Sequence, residues 1–265
     1  METFGEQLRG WRSHRGLSQL SLGLNAGTSS RHISFLETGR SRPSRKMVLQ
    51  LARTMDLPLR QQNAWLTSAG FAPIFGERTL DDDELRKARE AVTYLLAAHE
   101  PYPALAMDRH WQFVAWNRPQ FLMLQPLADE NGSLSGINAL DLIFQPGPVR
   151  QQLLNWEEVA MAVLRRLHRQ RVRVGNDDRL QQLWDRSIAA PDVAPLLKRR
   201  DLEKSPPPLV PMKMDYGDQQ VTWINTLASF GAVGDATLEE LVIESFYPAD
   251  DATRAFAERL ASSGS

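Results

Sequence analysis

Gly16-Leu17-Ser18-Gln19 opens, and Arg40-Ser41-Arg42-Pro43-Ser44 closes, a stretch that reads as two short helices held at a fixed angle by a glycine turn. Ser18 is a residue type that caps free backbone N–H groups, and Leu20, Leu22 and Leu24 continue a helix from it. Ala26-Gly27-Thr28 is the turn, where Gly27 suits the positive φ that follows a helix. Ser29 then caps a second helix beginning Ser30-Arg31-His32. Ile33 and Leu36 fall three apart and are expected inside, which leaves Ser30, Arg31, Ser34 and Phe35 on the outward, leading face. Glu37-Thr38-Gly39 ends that helix, with Gly39 as a left-handed cap. A single Gly turn between helices is also an ordinary helical corner. Several marks at one spacing, with arginines on the expected side, favour a surface shaped for a DNA major groove.

Outward from this stretch the apolar periodicity continues. Phe4, Leu8 and Trp11, with Leu17 beyond, form the inner stripe of a first helix ending near Arg15-Gly16. Ser44 caps a helix carrying Val48, Leu49, Leu51, Ala52 and Met55, which Asp56-Leu57-Pro58 stops. A fifth helix runs from Arg60 to Ala69 with Trp65 and Leu66, and Gly70 ends it. Here the sequence resembles a known family. Residues 5–57 are similar to the XRE type of helix-turn-helix domain, the fold of the lambdoid phage repressors, on the marks Gly16-Leu17-Ser18-Gln19, Ala26-Gly27, Ile33-Ser34, Glu37 and Gly39-Arg40. The resemblance implies a DNA-contacting set of Gln19, Ser29, Ser30, Arg31, His32, Ser34, Phe35, Arg40, Arg42 and Ser44, with Arg40, Arg42 and the helix after Ser44 holding phosphates. It also implies a structural pair between Arg12 and Glu37. His32 and Phe35 depart from the common pattern, so a thymine methyl against Phe35 is expected to contribute to readout.

Charge is distributed to match. The chain of 265 residues carries a net charge of only -1, but residues 1–76 hold ten Arg or Lys against four Asp or Glu, and the remainder is acidic by seven. A basic small domain joined to an acidic larger one suits a DNA reader attached to a sensing or dimerising module. An apolar content of 42% supports packed cores, and cysteine is absent, so neither a disulfide framework nor a thiolate metal site is available. Met1-Glu2-Thr3-Phe4 shows no export signal and no apolar run reaches the ~20 residues that cross a bilayer. A soluble cytoplasmic protein with no membrane partner is expected.

Residues 71–83 read as an exposed connection, and Asp83 is the expected cap of a linking helix from Glu84 to His99. From Pro101 the period changes. Ala104-Leu105-Ala106-Met107 and Trp111 to Trp116 read as a hairpin turning at Asp108-Arg109-His110. A helical piece from Gln120 to Leu127, a polar loop from Asp129 to Asn138, the apolar run Leu140 to Phe144, a long helix from Arg150 to about Arg173 and another after Asp177 follow. The end reads as strands over Leu209–Tyr216, Gln220–Ser229 and Leu238–Tyr247, then a helix from about Asp250 to Leu260. This order is that of a PAS-like fold. The whole chain, through Ala98-His99-Glu100-Pro101-Tyr102-Pro103-Ala104, Trp116-Asn117, Asn155-Trp156-Glu157-Glu158-Val159-Ala160 and Glu244-Ser245-Phe246-Tyr247-Pro248-Ala249-Asp250, resembles the MmyB-like transcription regulators. That resemblance implies a PAS-like C-terminal domain taking a small apolar ligand such as a fatty acid. The expected architecture is α + α/β: a five-helix lambda-repressor-like domain over residues 1–76, a linking helix over 77–100, and a PAS-like antiparallel sheet domain with helices over 101–265.

Chemistry is sparse. The five histidines, at 14, 32, 99, 110 and 168, form no metal-binding pair, and no phosphate loop, dinucleotide fingerprint or serine elbow occurs. Neither metal nor enzymatic activity is expected. Asp81-Asp82-Asp83 and Asp250-Asp251 stand where helices begin and read as caps. Arg165, Arg166, Arg169, Arg171 and Arg173 read as a solvated basic face or, less simply, a second nucleic-acid contact. Met107, Phe113, Leu122, Phe144, Trp156, Met161, Trp223, Phe230 and Phe246 fill a core or, as a set, line a long cavity. The expected function is that of a homodimeric regulator of double-stranded DNA whose second domain senses an apolar ligand. An interaction module without ligand is the alternative.

Overall fold

The computed structural model describes residues 2–80, 82–175, 177–199, 207–231 and 234–262. The chain divides into two compact units. One comprises Met1–Arg78 with two short returns of chain, Arg173–Gly175 and Ala232–Glu239; the other comprises Thr79–Val172, Asn176–Gly231 and Glu240–Ser265.

Local capping defines the first unit. Helix α1 (Phe4–His14) starts at a capping box, in which the Glu6 amide donates to the Thr3 hydroxyl at 3.3 Å and the Thr3 amide donates to the Glu6 carboxylate at 2.8 Å. Ser18, Ser29 and Ser44 cap α2 (Gln19–Asn25), α3 (Ser30–Glu37) and α4 (Arg45–Thr54), their hydroxyls accepting from the amides of Ser21, His32 and Met47. Gly27 takes a φ of 59° between α2 and α3, a conformation that a side chain would strain. Helix α5 (Leu59–Ser68) follows Pro58, which offers no side-chain cap. Leu8, Leu22, Ile33, Leu36, Leu51 and Trp65 form one buried core. A Cβ on Gly5 would lie 2.6 Å from the Leu36 carbonyl oxygen, so α1 and the end of α3 meet backbone to backbone.

The second unit opens with a short 3₁₀ turn, Asp83–Leu85, and α6 (Arg86–Ala98). Asp83 does not cap this helix: it lies within the 3₁₀ turn, and the helix has no side-chain cap. The Asp82 carboxylate accepts from the Thr79 amide instead, and Asp81 lies outside the described residues. Strands β1 (Ala104–Met107) and β2 (Phe113–Trp116) form the expected antiparallel pair. Asn117 caps α7 (Arg118–Leu124), and α8 (Ala139–Phe144) occupies the apolar run before the Pro-Gly-Pro turn.

The long helix expected from Arg150 is two, α9 (Pro148–Gln152) and α10 (Trp156–Val174). The break has a hydrogen-bonding cause. The Leu154 amide donates to the Lys213 carbonyl at 2.9 Å and the Asn155 side chain accepts from the Lys213 amide at 3.0 Å, so this segment pairs with a strand edge rather than with its own helix. Helices α11 (Asp178–Ile188) and α12 (Val193–Arg199) follow, the latter unforeseen in the sequence.

Strand β3 (Met212–Asp215) starts later than Leu209 because Pro211 has no amide to place in a ladder. Strand β4 (Gln220–Ser229) matches its expected bounds. Leu238–Glu240, expected to start a strand, belongs instead to α13 (Ala236–Glu240), because the Asp235 carboxylate accepts from the Thr237 amide at 2.9 Å and starts a helical turn. Strand β5 (Val242–Pro248) and α14 (Asp251–Ser262) complete the chain, and the Asp250 carboxylate accepts from the Thr253 amide at the start of α14.

The sheet is antiparallel throughout, in the order β2-β1-β5-β4-β3. Alternation along the strands sorts side chains to two faces. Ala104, Ala106 and Ile243 pack on Val92 and Leu96 of α6. Leu105, Trp223, Asn225, Leu227, Glu244 and Phe246 point to the other face, where a cavity lies.

Candidate nucleic-acid face and ligand cavity

Helix α3 is fixed from beneath by a buried carboxylate. The Glu37 side chain is 1% exposed and receives the Arg12 guanidinium through Nε at 2.5 Å and Nη2 at 3.2 Å. Arg12 also donates to the Leu17 carbonyl at 2.7 Å, and Arg9 Nε lies 3.6 Å from the same carboxylate. A two-pronged guanidinium pair sets orientation as well as separation. It therefore fixes α3 against α1 and the start of α2.

The expected DNA-contacting residues divide by what they already do. Gln19 donates from Nε2 to Glu37 Oε2 at 2.7 Å, so its amide nitrogen is engaged inside the unit. The hydroxyls of Ser29 and Ser44 are engaged as helix caps. Arg31 is exposed, with its guanidinium carbon 5.2 Å from the ring centre of the half-buried Phe35 one turn later. Ser30, His32 and Ser34 are half-buried, and Arg40 and Arg42 are exposed beyond the helix. Arg45, passed over in the sequence, is exposed at the start of α4 and donates to the Ala72 carbonyl at 3.1 Å. The result is an exposed rim of arginines around a short helix whose inner side is locked.

In the second unit, an open cavity of about 440 Å³ lies between the sheet face and α10. Its wall is mostly apolar, with Leu105, Phe113, Met214, Trp223 and Phe246 facing Val159 and Val163 of α10. A volume of this size suits a small organic ligand. One part of the wall is basic: Arg165, Arg166 and Arg169 all line it. Arg166 lies 4.2 Å from the centre of the Trp111 ring and 3.8 Å from Glu244 Oε2, and Glu244 Oε1 accepts from Asn225 at 2.5 Å. Burial pushes the Arg166 pKa below its ordinary value, and Glu244 opposes that shift. Burial likewise raises Tyr216, whose hydroxyl donates to the Met214 sulfur at 3.7 Å.

Of the nine side chains singled out from the sequence, Phe113, Trp223 and Phe246 line this cavity. Met107 does not; it is buried outside the wall. Phe144 and Met161 are buried in the core, and Phe230 packs on the α6 face of the sheet. Trp156 donates from its indole to the Ile143 carbonyl at 2.8 Å, under the Arg150 guanidinium; Leu122 is half-buried outside the wall. Sequence reasoning missed Arg166 as a cavity residue. Its signal was present: Val159, Val163 and Arg166 follow helical spacing, an apolar stripe that turns basic after two turns.

A neighbouring network is structural. Although burial opposes it, hydrogen bonds from His110 and the Leu180 amide, with Arg109 nearby, hold Asp177 well below the ordinary carboxylate range. Among the described residues, no group of histidine and carboxylate side chains could hold a metal ion, and no helix is long and apolar enough to cross a membrane.

Comparison with known families agrees with both halves. A model described as the MmyB-like transcription regulator ligand binding domain matches residues 88–260, and one described as a helix-turn-helix domain matches residues 3–65. No curated relative matches the chain. The first match spans more than half of the sequence, and the chain belongs to the MmyB-like transcription regulators.

Proposed function

We propose that this MmyB-like regulator is a homodimer that binds an inverted-repeat operator through α3 and senses an acid with an apolar tail, of fatty-acid type, in the cavity of its second unit. That a transcription regulator binds DNA through a helix-turn-helix and a small molecule through its ligand-binding domain follows from the two family matches. The finer reading has one carrying observation: an apolar cavity of about 440 Å³ whose wall carries Arg165, Arg166 and Arg169. An apolar wall selects a hydrocarbon, and cations in the same wall select an acidic head. A cavity of this volume argues against the rival reading of a solid interaction module. The strand order β2-β1-β5-β4-β3 supports the PAS-like reading, and a DNA partner favours a cytoplasmic location.

The test uses the full chain. Duplexes recovered by the protein from a random pool are expected to share an inverted repeat with half-sites ~34 Å apart, the spacing of successive major grooves on one face. Adding laurate should change affinity for the recovered duplex, and dodecanol, which has the same tail without charge, should act at least ~10-fold more weakly by loss of a charge-assisted contact. No enrichment of any duplex would refute the DNA half. Equal binding of laurate and dodecanol would refute the acidic head.

A further inference from the structure

Gly234–Glu239, between β4 and β5, contributes to the first unit rather than to the sheet. The Gly76 amide donates to the Gly234 carbonyl at 3.3 Å, and the Ala236 amide donates to the Gly76 carbonyl at 2.7 Å, forming a short parallel bridge between Gly76 and Asp235. Asp235 is buried, and its carboxylate lies 3.3 Å from Arg78 Nη1. The Thr237 hydroxyl donates to the Arg78 carbonyl at 2.6 Å. Most telling, Glu239 Oε2 accepts from the Leu59 amide at 2.8 Å. Leu59 is the first residue of α5, the one helix of the five whose own preceding residue supplies no side-chain contact and is a proline. A helix start with open N–H groups attracts negative charge. Glu239 thus completes α5 from a position 180 residues away.

We infer that Gly234–Glu239 is the relay by which the occupancy of the cavity reaches the DNA-binding helices. The inference rests on the ligand-responsive reading above. Both strands that flank the relay carry cavity residues close to it in sequence: Leu227 on β4 and Glu244 on β5, which are partners in the sheet register. Glu244 is the residue that faces Arg166, so an acidic ligand head drawn to Arg166 displaces Glu244 from that cation. Shifting the β4–β5 pair moves the short chain between them, and Glu239 withdraws from Leu59. Helix α5 then loses the acceptor at its first turn, and α5 supplies Trp65 and Leu66 to the core on which α3 rests.

Hydrogen exchange of the full-length protein, with laurate as the probe and its binding followed by displacement of a fluorescent fatty acid, tests the relay. In Glu239→Ala without laurate, the first-turn amides of α5, Leu59 to Gln62, should exchange about five-fold faster than in the wild type, as for a lost cap. Glu239→Gln keeps an acceptor and should fall between the two. Laurate should accelerate these amides in the wild type and leave Glu239→Ala unchanged. If laurate binds while the wild-type amides stay as they were or slow down, or if wild type and Glu239→Ala respond alike, the relay is wrong and the sensing role stands. If laurate does not bind at all, the sensing role falls, and the relay with it.

Discussion

Replacing Arg12 by Met removes the cation that faces Glu37 while keeping an unbranched apolar stem in its place. The Glu37 carboxylate is 1% exposed, and after the change it keeps only the Gln19 amide at 2.7 Å and Arg9 at 3.6 Å, itself largely in water. Removing one member of a buried ion pair costs roughly 3–5 kcal/mol, because the partner stays desolvated without its counter-charge. A small unit of typical stability, about 5–15 kcal/mol, would be left marginal. Replacing both members, Arg12→Met with Glu37→Leu, removes the stranded charge, so that variant should return to within about 1 kcal/mol of wild type. Tryptophan fluorescence cannot separate the units, since Trp11 and Trp65 report on the first and Trp111, Trp156 and Trp223 on the second. Urea titration followed by hydrogen exchange in α1, α3 and α5 isolates the first unit. The reasoning is refuted if Arg12→Met costs less than about 1 kcal/mol, or if the double variant is no more stable than the single. A further consequence concerns Gln19→Ala. Gln19 bonds the same buried carboxylate, so this substitution should cost roughly 1.5–3 kcal/mol of stability, and a loss of DNA binding in it does not by itself identify a base contact.

Two other outcomes follow from local geometry. Gly5→Ala places a Cβ 2.6 Å from the Leu36 carbonyl oxygen and 2.7 Å from that of Glu37, both backbone atoms at the end of α3. It should lower stability by about 1–3 kcal/mol in thermal unfolding and weaken operator binding with it, whereas Gly10→Ala, which meets nothing within 4 Å, should be neutral or slightly stabilising. Asp177 has a depressed folded pKa, so its contribution to stability is present above the unfolded carboxylate pKa of about 4 and is lost as pH falls through the lower folded value. Asp177→Asn should therefore be destabilised relative to wild type by roughly 1–3 kcal/mol at neutral pH, with the difference shrinking in acid; a difference constant down to pH 2 would be inconsistent with the Arg109 and His110 contacts.

The first unit was legible because its signals are local. Ser18, Ser29 and Ser44 each cap the helix that follows, within three residues, and Gly27 marks its turn by a backbone angle that does not depend on the rest of the chain. Beyond residue 78, expectations failed where a contact that the apolar pattern does not encode overrides local preference. Leu153 to Asn155 sit inside a continuous helical pattern, yet Lys213 offers them a strand edge. Leu238 and Glu239 sit before a run of strand formers, yet Asp235 supplies a cap and Gly76 a bridge.

The cavity shows the same limit in its sharpest form. Periodicity along α10 identifies one broad apolar side, but the helix uses two adjoining stripes: Ala160, Met161, Leu164 and Leu167 face the core, while Val159 and Val163 lead to Arg166 in the cavity wall. Nothing in the spacing distinguishes them, since 100° per residue places both within one apolar arc. Charge does distinguish them. A stripe that must be sealed has no use for a guanidinium, whereas a stripe that ends at an anion does. Arg166, held over Trp111 and balanced by Glu244 at 3.8 Å, is a cation kept in an apolar wall despite the desolvation that lowers its pKa. Core packing alone would be satisfied better by a leucine at that position. The arginine is therefore the residue at which the demands of folding and of ligand recognition part, and it is what supports the acidic head proposed for the ligand.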